Sequence, residues 1–262
     1  MIDLFAGLGG WAEGGLAEGW QVIGFDIERH VYGEHRYPAQ IVVQDVLTLD
    51  GAQFRDADLI VASPPCQFFS YTAMPWSRAK ALAAEIRADP ARLKKELALF
   101  NSCFRIQREA CAAAGRHVPL VVENVKGAQP WVGRARWFWG SYFLWGDVPA
   151  LMPQAEVAHR KNGATNFHLD GGGSWFNIGS PGQKVVGQNP VNRQSGIKCG
   201  GDWLNAAQPS ISRQTSSKSS ARKFASAMIA KIPVQLSRHI AAVYRPDRSA
   251  RDGAARQHGA SA

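Results

Sequence analysis

Two short stretches of this 262-residue chain carry side chains suited to covalent chemistry. The first is Ser63-Pro64-Pro65-Cys66-Gln67-Phe68-Phe69-Ser70, which follows an apolar run over residues 59–62. Two prolines stiffen the backbone in front of the thiol. Open α/β sheets gather their chemistry at the carboxyl ends of the strands, so a rigidly held cysteine there is a candidate nucleophile. An ordinary core cysteine is the alternative, but a double proline followed by Gln-Phe-Phe-Ser does not suit a buried strand. The second stretch is Glu123-Asn124-Val125, after the apolar run at 120–122. In a parallel sheet Glu123 reaches the same edge as Cys66. A partly desolvated carboxyl there can hold a proton near neutral pH.

A third stretch is suited to binding. Asp3-Leu4-Phe5-Ala6-Gly7-Leu8-Gly9-Gly10 follows a short strand and opens a helix. Glycines at such a turn let the backbone approach a ligand closely. Asp26-Ile27-Glu28 ends the next strand, at a distance that suits ribose hydroxyls. Asp45-Val46 follows the third strand, where an acid suits the exocyclic amine of adenine. The spacing Gly7-x-Gly9-Gly10 is not the G-x-G-x-x-G of a dinucleotide site, and nearby acids disfavour phosphate. Asp3 beside the turn favours a cationic, phosphate-free nucleoside such as S-adenosylmethionine. The bland alternative is that Asp26 and Asp45 only cap helices or turns.

These groups need a scaffold. Apolar strands are expected at residues 2–5, 21–25, 41–43, 59–62 and 120–122, with helices at 11–18 and 91–114. Leu93, Leu97, Phe100 and Phe104 recur at helical spacing. Continuous apolar strands separated by helices imply a parallel sheet covered on both faces. Residues 136–145 are aromatic and strand-like, 153–220 are polar and glycine-rich, and helical periodicity returns over 219–244 with a break at Pro233.

In order and spacing these stretches resemble the DNA (cytosine-5) methyltransferases. The Asp3–Gly10 stretch is similar to their cofactor motif, Pro64-Pro65-Cys66-Gln67-x-Phe69-Ser70 to their nucleophile motif, and Glu123-Asn124-Val125 to their glutamate motif. Ile232-Pro233 through Ile240-Ala241 is similar to their closing motif. The resemblance covers about residues 1–125 and 219–245. It implies a Rossmann-like AdoMet-dependent methyltransferase fold, formed by 1–145 with 219–245. It further implies a small target-recognition domain at 146–218; the tail at 246–262 is rich in Arg, Ala, Gly and Ser, and its composition predicts a disordered basic tail. The resemblance also implies that Cys66 adds to C6 of a flipped cytosine while Glu123 protonates N3. Phe5 and Ile27 would sandwich the adenine, Asp26 would hold the ribose and Asp45 the N6 amine. Val46 and Pro65 would line the same pocket, and Gln67 and Ser70 would face DNA.

Three departures from the family pattern stand out. About ten residues separate Asn124 from Arg134 and Arg136, too few for the usual insertion, so either arginine could contact the cytosine or bind phosphate. Almost nothing precedes the first strand. Ala230 stands at the family's usual Asn, with Lys231 beside it. An ammonium near a sulfonium needs an intervening carboxylate. The donor's own methionine carboxylate is one source. A carboxylated donor, carboxy-S-adenosylmethionine, with carboxymethyl transfer, is the alternative.

Charge divides the chain. The net charge of +9 splits into −2 over residues 1–130 and +11 over 131–262. The basic half suits a polyanion, here double-stranded DNA, with Arg160, Lys161, Arg193 and Arg213 as candidate contacts. RNA is the alternative substrate. A cysteine hydrolase would need an activating His, and His30, His35 and His117 have no evident third group. A passive DNA-binding module is the remaining class. Cys66, Cys103, Cys111 and Cys199 form no CxxC pair or zinc spacing, so no metal is expected and the thiols read as reduced. Cys103 and Cys111 lie in an apolar helical stretch and are expected in the core. No apolar run approaches the ~20 residues of a membrane helix, and an acid at position three argues against a signal peptide. The expectation is a cytoplasmic monomer.

Overall fold

A computed structural model describes residues 1–69, 76–139, 142–152 and 220–246. Nine strands and six α-helices are described: β1 (Ile2–Leu4), α1 (Gly10–Ala17), β2 (Ile23–Asp26), β3 (Val31–Tyr32), β4 (His35–Arg36), β5 (Gln40–Val43), β6 (Ile60–Ala62), α2 (Trp76–Ala88), α3 (Pro90–Ala114), β7 (Leu120–Asn124), α4 (Gln129–Val132), β8 (Trp137–Trp139), β9 (Tyr142–Gly146), α5 (Ser220–Ala230) and α6 (Val234–Val243). Seven strands form one sheet in the order β5-β2-β1-β6-β7-β9-β8. The first five are parallel, with Ile2 level with Ile23 and Ile60, and Val61 level with Val121. Strand β9 runs antiparallel between β7 and β8. This is the Rossmann-like doubly wound order with one antiparallel strand wedged in.

The strands are apolar throughout because both faces are covered. Ile60, Ala62, Leu120 and Val122 pack with Phe100, Cys103, Ile106 and Ala110 of α3. Leu59, Val61, Val121 and Leu144 face the other way, toward Trp11 and Ala12 of α1 and Leu236 and Ile240 of α6. The two-residue period of a strand divides the apolar side chains between the layers. Helix α1 approaches the closing segment closely because it is glycine-rich. A Cβ on Gly10 would lie 2.4 Å from the Ile232 nitrogen, and one on Gly14 would lie 2.5 Å from the Arg238 nitrogen.

Three elements differ from the sequence expectation. Residues 31–36 form a β-hairpin, and Trp76–Ala88 adds a helix before α3. The aromatic stretch at 136–145 folds back on itself as β8 and β9. Cys103 is fully buried as expected. Cys111 is half-buried, and its sulfur accepts the Val118 N–H at 3.2 Å. No described helix is long and apolar enough to cross a membrane.

Candidate active site

A cavity of about 490 Å³ opens at the carboxyl ends of β1, β2 and β6, against α5. Its wall includes Phe5, Gly7, Gly10, Asp26, Ile27, Asp45, Val46, Pro65, Gln67 and Lys231, all singled out from the sequence. The glycine turn forms its floor. Gly7 and Gly9 take φ of +51° and +78°, and Phe5 itself takes +60°, a strained value for a side-chain-bearing residue. Ile27 is 69 % exposed, so its side chain is open to a flat ring.

The acids divide into different environments. The Asp26 carboxylate accepts the Gly7 N–H at 2.9 Å and the Glu28 N–H at 3.3 Å. It faces His30 Nε2 at 3.5 Å. These partners hold Asp26 below the usual carboxylate range despite its burial. Asp45 accepts the Leu47 N–H at 2.9 Å and so also caps a turn, while still lining the cavity.

Asp3 does not line the cavity. It is 1 % exposed and accepts the Tyr37 hydroxyl at 3.1 Å. Burial pushes its carboxyl well above the usual range, opposed by the Tyr37 hydrogen bond. Its place is under the sheet edge, where Tyr37 packs on Gly24. Gly9 likewise sits off the cavity wall, against Pro38.

Lys231 reaches the cavity with a carboxylate already beside it. Its Nζ lies 2.5 Å from Glu13 Oε1 of α1. The protein itself supplies the negative charge expected of the ligand from the sequence. Lys231 therefore gives no reason to invoke a carboxylated donor.

Residues 63–69 pass from β6 along the cavity wall and continue to the thiol. Cys66 is half-buried, and its carbonyl accepts the Phe69 N–H at 2.9 Å. The Asn124 side-chain amide donates to the Pro64 carbonyl at 2.9 Å, joining the ends of β6 and β7. Phe68 packs against Trp131 at 5.1 Å with the rings tilted by 55°, and the Arg87 guanidinium lies 5.0 Å from the Trp131 ring centre. Glu123 is 8 % exposed, and burial raises its carboxyl to about 8. Ser63 hydrogen-bonds Glu123 and partly opposes that rise. The same Ser63 hydroxyl accepts Trp11 Nε1 at 2.9 Å. Glu123 and the cysteine loop thus share one sheet edge, as their strand order requires.

Arg134 and Arg136 are exposed at the outer part of the sheet. The row Glu123–Leu144–Trp137 puts β9 between Glu123 and β8. Arg136 is therefore two strands, about 10 Å, to the side of Glu123. Ser70, Arg160, Lys161, Arg193 and Arg213 lie outside the described residues, as do most of 146–218 and the tail beyond 246. Among the described residues no group of three His, Cys, Asp or Glu could hold a metal ion. Sequence reasoning missed Glu13, His30, Tyr32 and Lys223 as cavity or near-cavity residues. None belongs to a local motif; only the fold brings them in.

The doubly wound sheet and its glycine-floored, acid-lined cavity define a Rossmann-like domain with a ligand cavity at its strand ends. Residues 1–83 match the model of the C-5 cytosine-specific DNA methylase family. The type II methyltransferase M.DdeI of Desulfomicrobium norvegicum is 34 % identical over 79 residues, 27 % of this chain and 19 % of that protein. The chain thus spans about a fifth of that relative's length. Among solved structures, the Entamoeba histolytica methyltransferase EhMeth overlaps at 20 % identity, covering 50 % of this chain and 39 % of that one, with a TM-score of 0.33. The S. pombe Dnmt2 methyltransferase overlaps at 16 % identity, covering 49 % and 35 %, with a TM-score of 0.30. The likeness to the DNA (cytosine-5) methylase family thus lies in residues 1–83.

Proposed function

We propose that the chain is a DNA cytosine-5 methyltransferase that uses S-adenosylmethionine. The observation that carries this reading is the pairing of Glu123, protonated near neutrality by burial, with Cys66 on a tethered loop at the same sheet edge. The cavity beside them fits the cofactor by its chemistry. It has a glycine floor for close backbone approach, apolar Phe5 and Ile27 for a flat base, and Asp45 for an exocyclic amine. When bound, the cofactor supplies an electrophilic methyl group.

The chain's own residues then do the following. Cys66, as thiolate, adds to C6 of a cytosine turned out of the duplex. Glu123 gives its proton to N3, drawing electrons across the ring as sulfur pushes them in. C5 becomes nucleophilic and takes the methyl group. Loss of the C5 proton to a base then expels Cys66 and restores the 5,6 double bond. Arg134 or Arg136 is proposed to contact DNA. The basic segment at 146–218 is proposed as the recognition domain, with Gln67, Ser70, Arg160, Lys161, Arg193 and Arg213 on the DNA side.

Covalent trapping tests this reading. Duplex DNA containing 5-fluorocytosine, with S-adenosylmethionine, should give a denaturant-stable adduct because fluorine blocks the final elimination. The adduct should vanish in Cys66→Ala. Retention of full methyl transfer by that variant would refute the mechanism. A parallel RNA substrate distinguishes DNA from RNA as the natural target.

A further inference from the structure

Strands β6 and β7 run level, with Ala62 beside Val122. The next residues along the two chains are Ser63 and Glu123. Level residues of parallel neighbours present their side chains on one face, about 5 Å apart. That face carries Val61, Val121 and Leu144 and looks toward Trp11 of α1. The Ser63 hydroxyl accepts Trp11 Nε1–H at 2.9 Å. An indole nitrogen only donates, so the one proton of the hydroxyl is left for another acceptor. Glu123 is that acceptor, buried and hydrogen-bonded to Ser63. Trp11 and Ser63 also line the cavity.

We propose that Ser63 and Trp11 are positioning residues for the Glu123 carboxyl: the indole N–H turns the Ser63 hydroxyl so that its proton meets one Glu123 oxygen, which leaves the other oxygen to carry the proton given to the base. This rests on the reading that Glu123 is the proton donor. A carboxyl free to turn could hold its proton on either oxygen, and only one of them faces the substrate. The Trp11–Ser63 bond removes that choice. A phenyl ring at position 11 would fill much of the same space but donate nothing.

The other neighbours leave this task to Ser63. Leu144 of β9, level with Glu123, is apolar. Tyr142 of β9 lies close enough to feel the Glu123 charge, but its hydroxyl donates to the Lys231 carbonyl at 3.1 Å. The Lys231 ammonium is paired with Glu13 of α1. Asp3 of β1 is bonded to Tyr37 and has Asp26 as its charged neighbour.

Infrared titration of the ligand-free protein tests the assignment. The protonated-carboxyl band lost in Glu123→Gln reports this group alone. Ser63 stabilises the ionised carboxylate, so Ser63→Ala should raise the midpoint by roughly 0.5 to 1 in pH. Trp11→Phe should raise it by less, and should add nothing in a Ser63→Ala background. Ser63→Thr, which keeps the hydroxyl, should restore the wild-type midpoint. In single-turnover methyl transfer at pH 7, Ser63→Ala should be about three- to tenfold slower and Ser63→Thr close to wild type. Near-ultraviolet circular dichroism confirms that each variant is folded. An unmoved or lowered midpoint in folded Ser63→Ala, or a Trp11→Phe effect that persists without Ser63, would overturn the assignment. Midpoints that move as expected while the rate and its basic limb stay fixed would instead overturn the role of Glu123 as proton donor.

Discussion

The side-chain amide of Asn124 donates to the carbonyl of Pro64, 60 residues earlier, inside a buried gap between two strand ends. One bond thus fixes the cysteine loop relative to the residue next to Glu123. The Asn124 carbonyl oxygen also accepts the Val125 N–H, so both ends of this amide are used.

Asn124→Ala leaves the Pro64 carbonyl buried and unpaired, at about 1–3 kcal/mol. The larger effect should be on rate. The methyl-transfer rate should fall at least tenfold, while S-adenosylhomocysteine binding changes little. Single-turnover kinetics beside calorimetry separates the two. An equal loss of cofactor affinity would show that the bond does not act on the loop.

Glu123 predicts a definite pH signature. Its carboxyl ordinarily titrates near 4.5 and is raised to about 8 by burial. Below 4.5 both folded and unfolded chains carry the proton. As the pH rises toward 8 only the folded chain keeps it, and the stabilisation it represents is progressively lost. Every tenfold gain in proton affinity on folding is worth ~1.4 kcal/mol, so the whole effect is on the order of a few kcal/mol. Urea midpoints at pH 5.5 and 8.5 should therefore fall more steeply for the wild type than for Glu123→Gln. On the proposed mechanism, activity should decline above about pH 8, where Glu123 loses its proton.

Glu13→Gln removes the charge beside Lys231. The ammonium then stands in the cavity wall without its 2.5 Å partner. S-adenosylmethionine carries a sulfonium and S-adenosylhomocysteine does not, so the former should weaken more, by about three- to tenfold. Paired titrations measure the ratio. An unchanged ratio would place Lys231 outside the reach of the sulfur.

Gly10→Ala forces a methyl group to within 2.4 Å of backbone that cannot swing away. Overpacking against backbone should cost about 2 kcal/mol or more. Thermal unfolding should show the loss, and cofactor binding should fall with it because Gly10 also lines the cavity.

Trp131→Ala removes the ring against which Phe68 packs and over which Arg87 lies. The loop carrying Cys66 loses one side of its support. Trapping of 5-fluorocytosine DNA should slow severalfold, while Trp131→Phe keeps most of the rate. Equal rates in both variants would remove Trp131 from the loop's support.

The parallel strands are legible in the sequence because each is a short apolar run with a helix or turn after it. Phe5, Asp26, Asp45 and Pro65 are legible for the same reason: they sit at strand ends, whose positions the runs reveal. The hairpin at Val31–Tyr32 and His35–Arg36 is not legible, since two residues a side leave no alternation to read. Its packing partner, Phe224, is distant in the chain. The placement of Asp3 is not legible for a related reason. Its type and position suggest a group facing the ligand, but Tyr37 and the sheet bury it away from the cavity. Glu13 looks like an ordinary surface acid of α1 until the closing segment returns with Lys231. Long-range pairing decides each of these cases, and no local window contains both partners.

The fit of Gly10 against Ile232 has a further consequence for how the molecule comes into being. The two residues meet only after the ribosome has passed position 232. Until then the glycine turn lacks the wall that Lys231 and Ile232 supply. A nascent or interrupted chain can form its early strands, yet it cannot finish the cavity. A product cut short before the closing segment is therefore left with the glycine turn but without the wall that encloses its cavity.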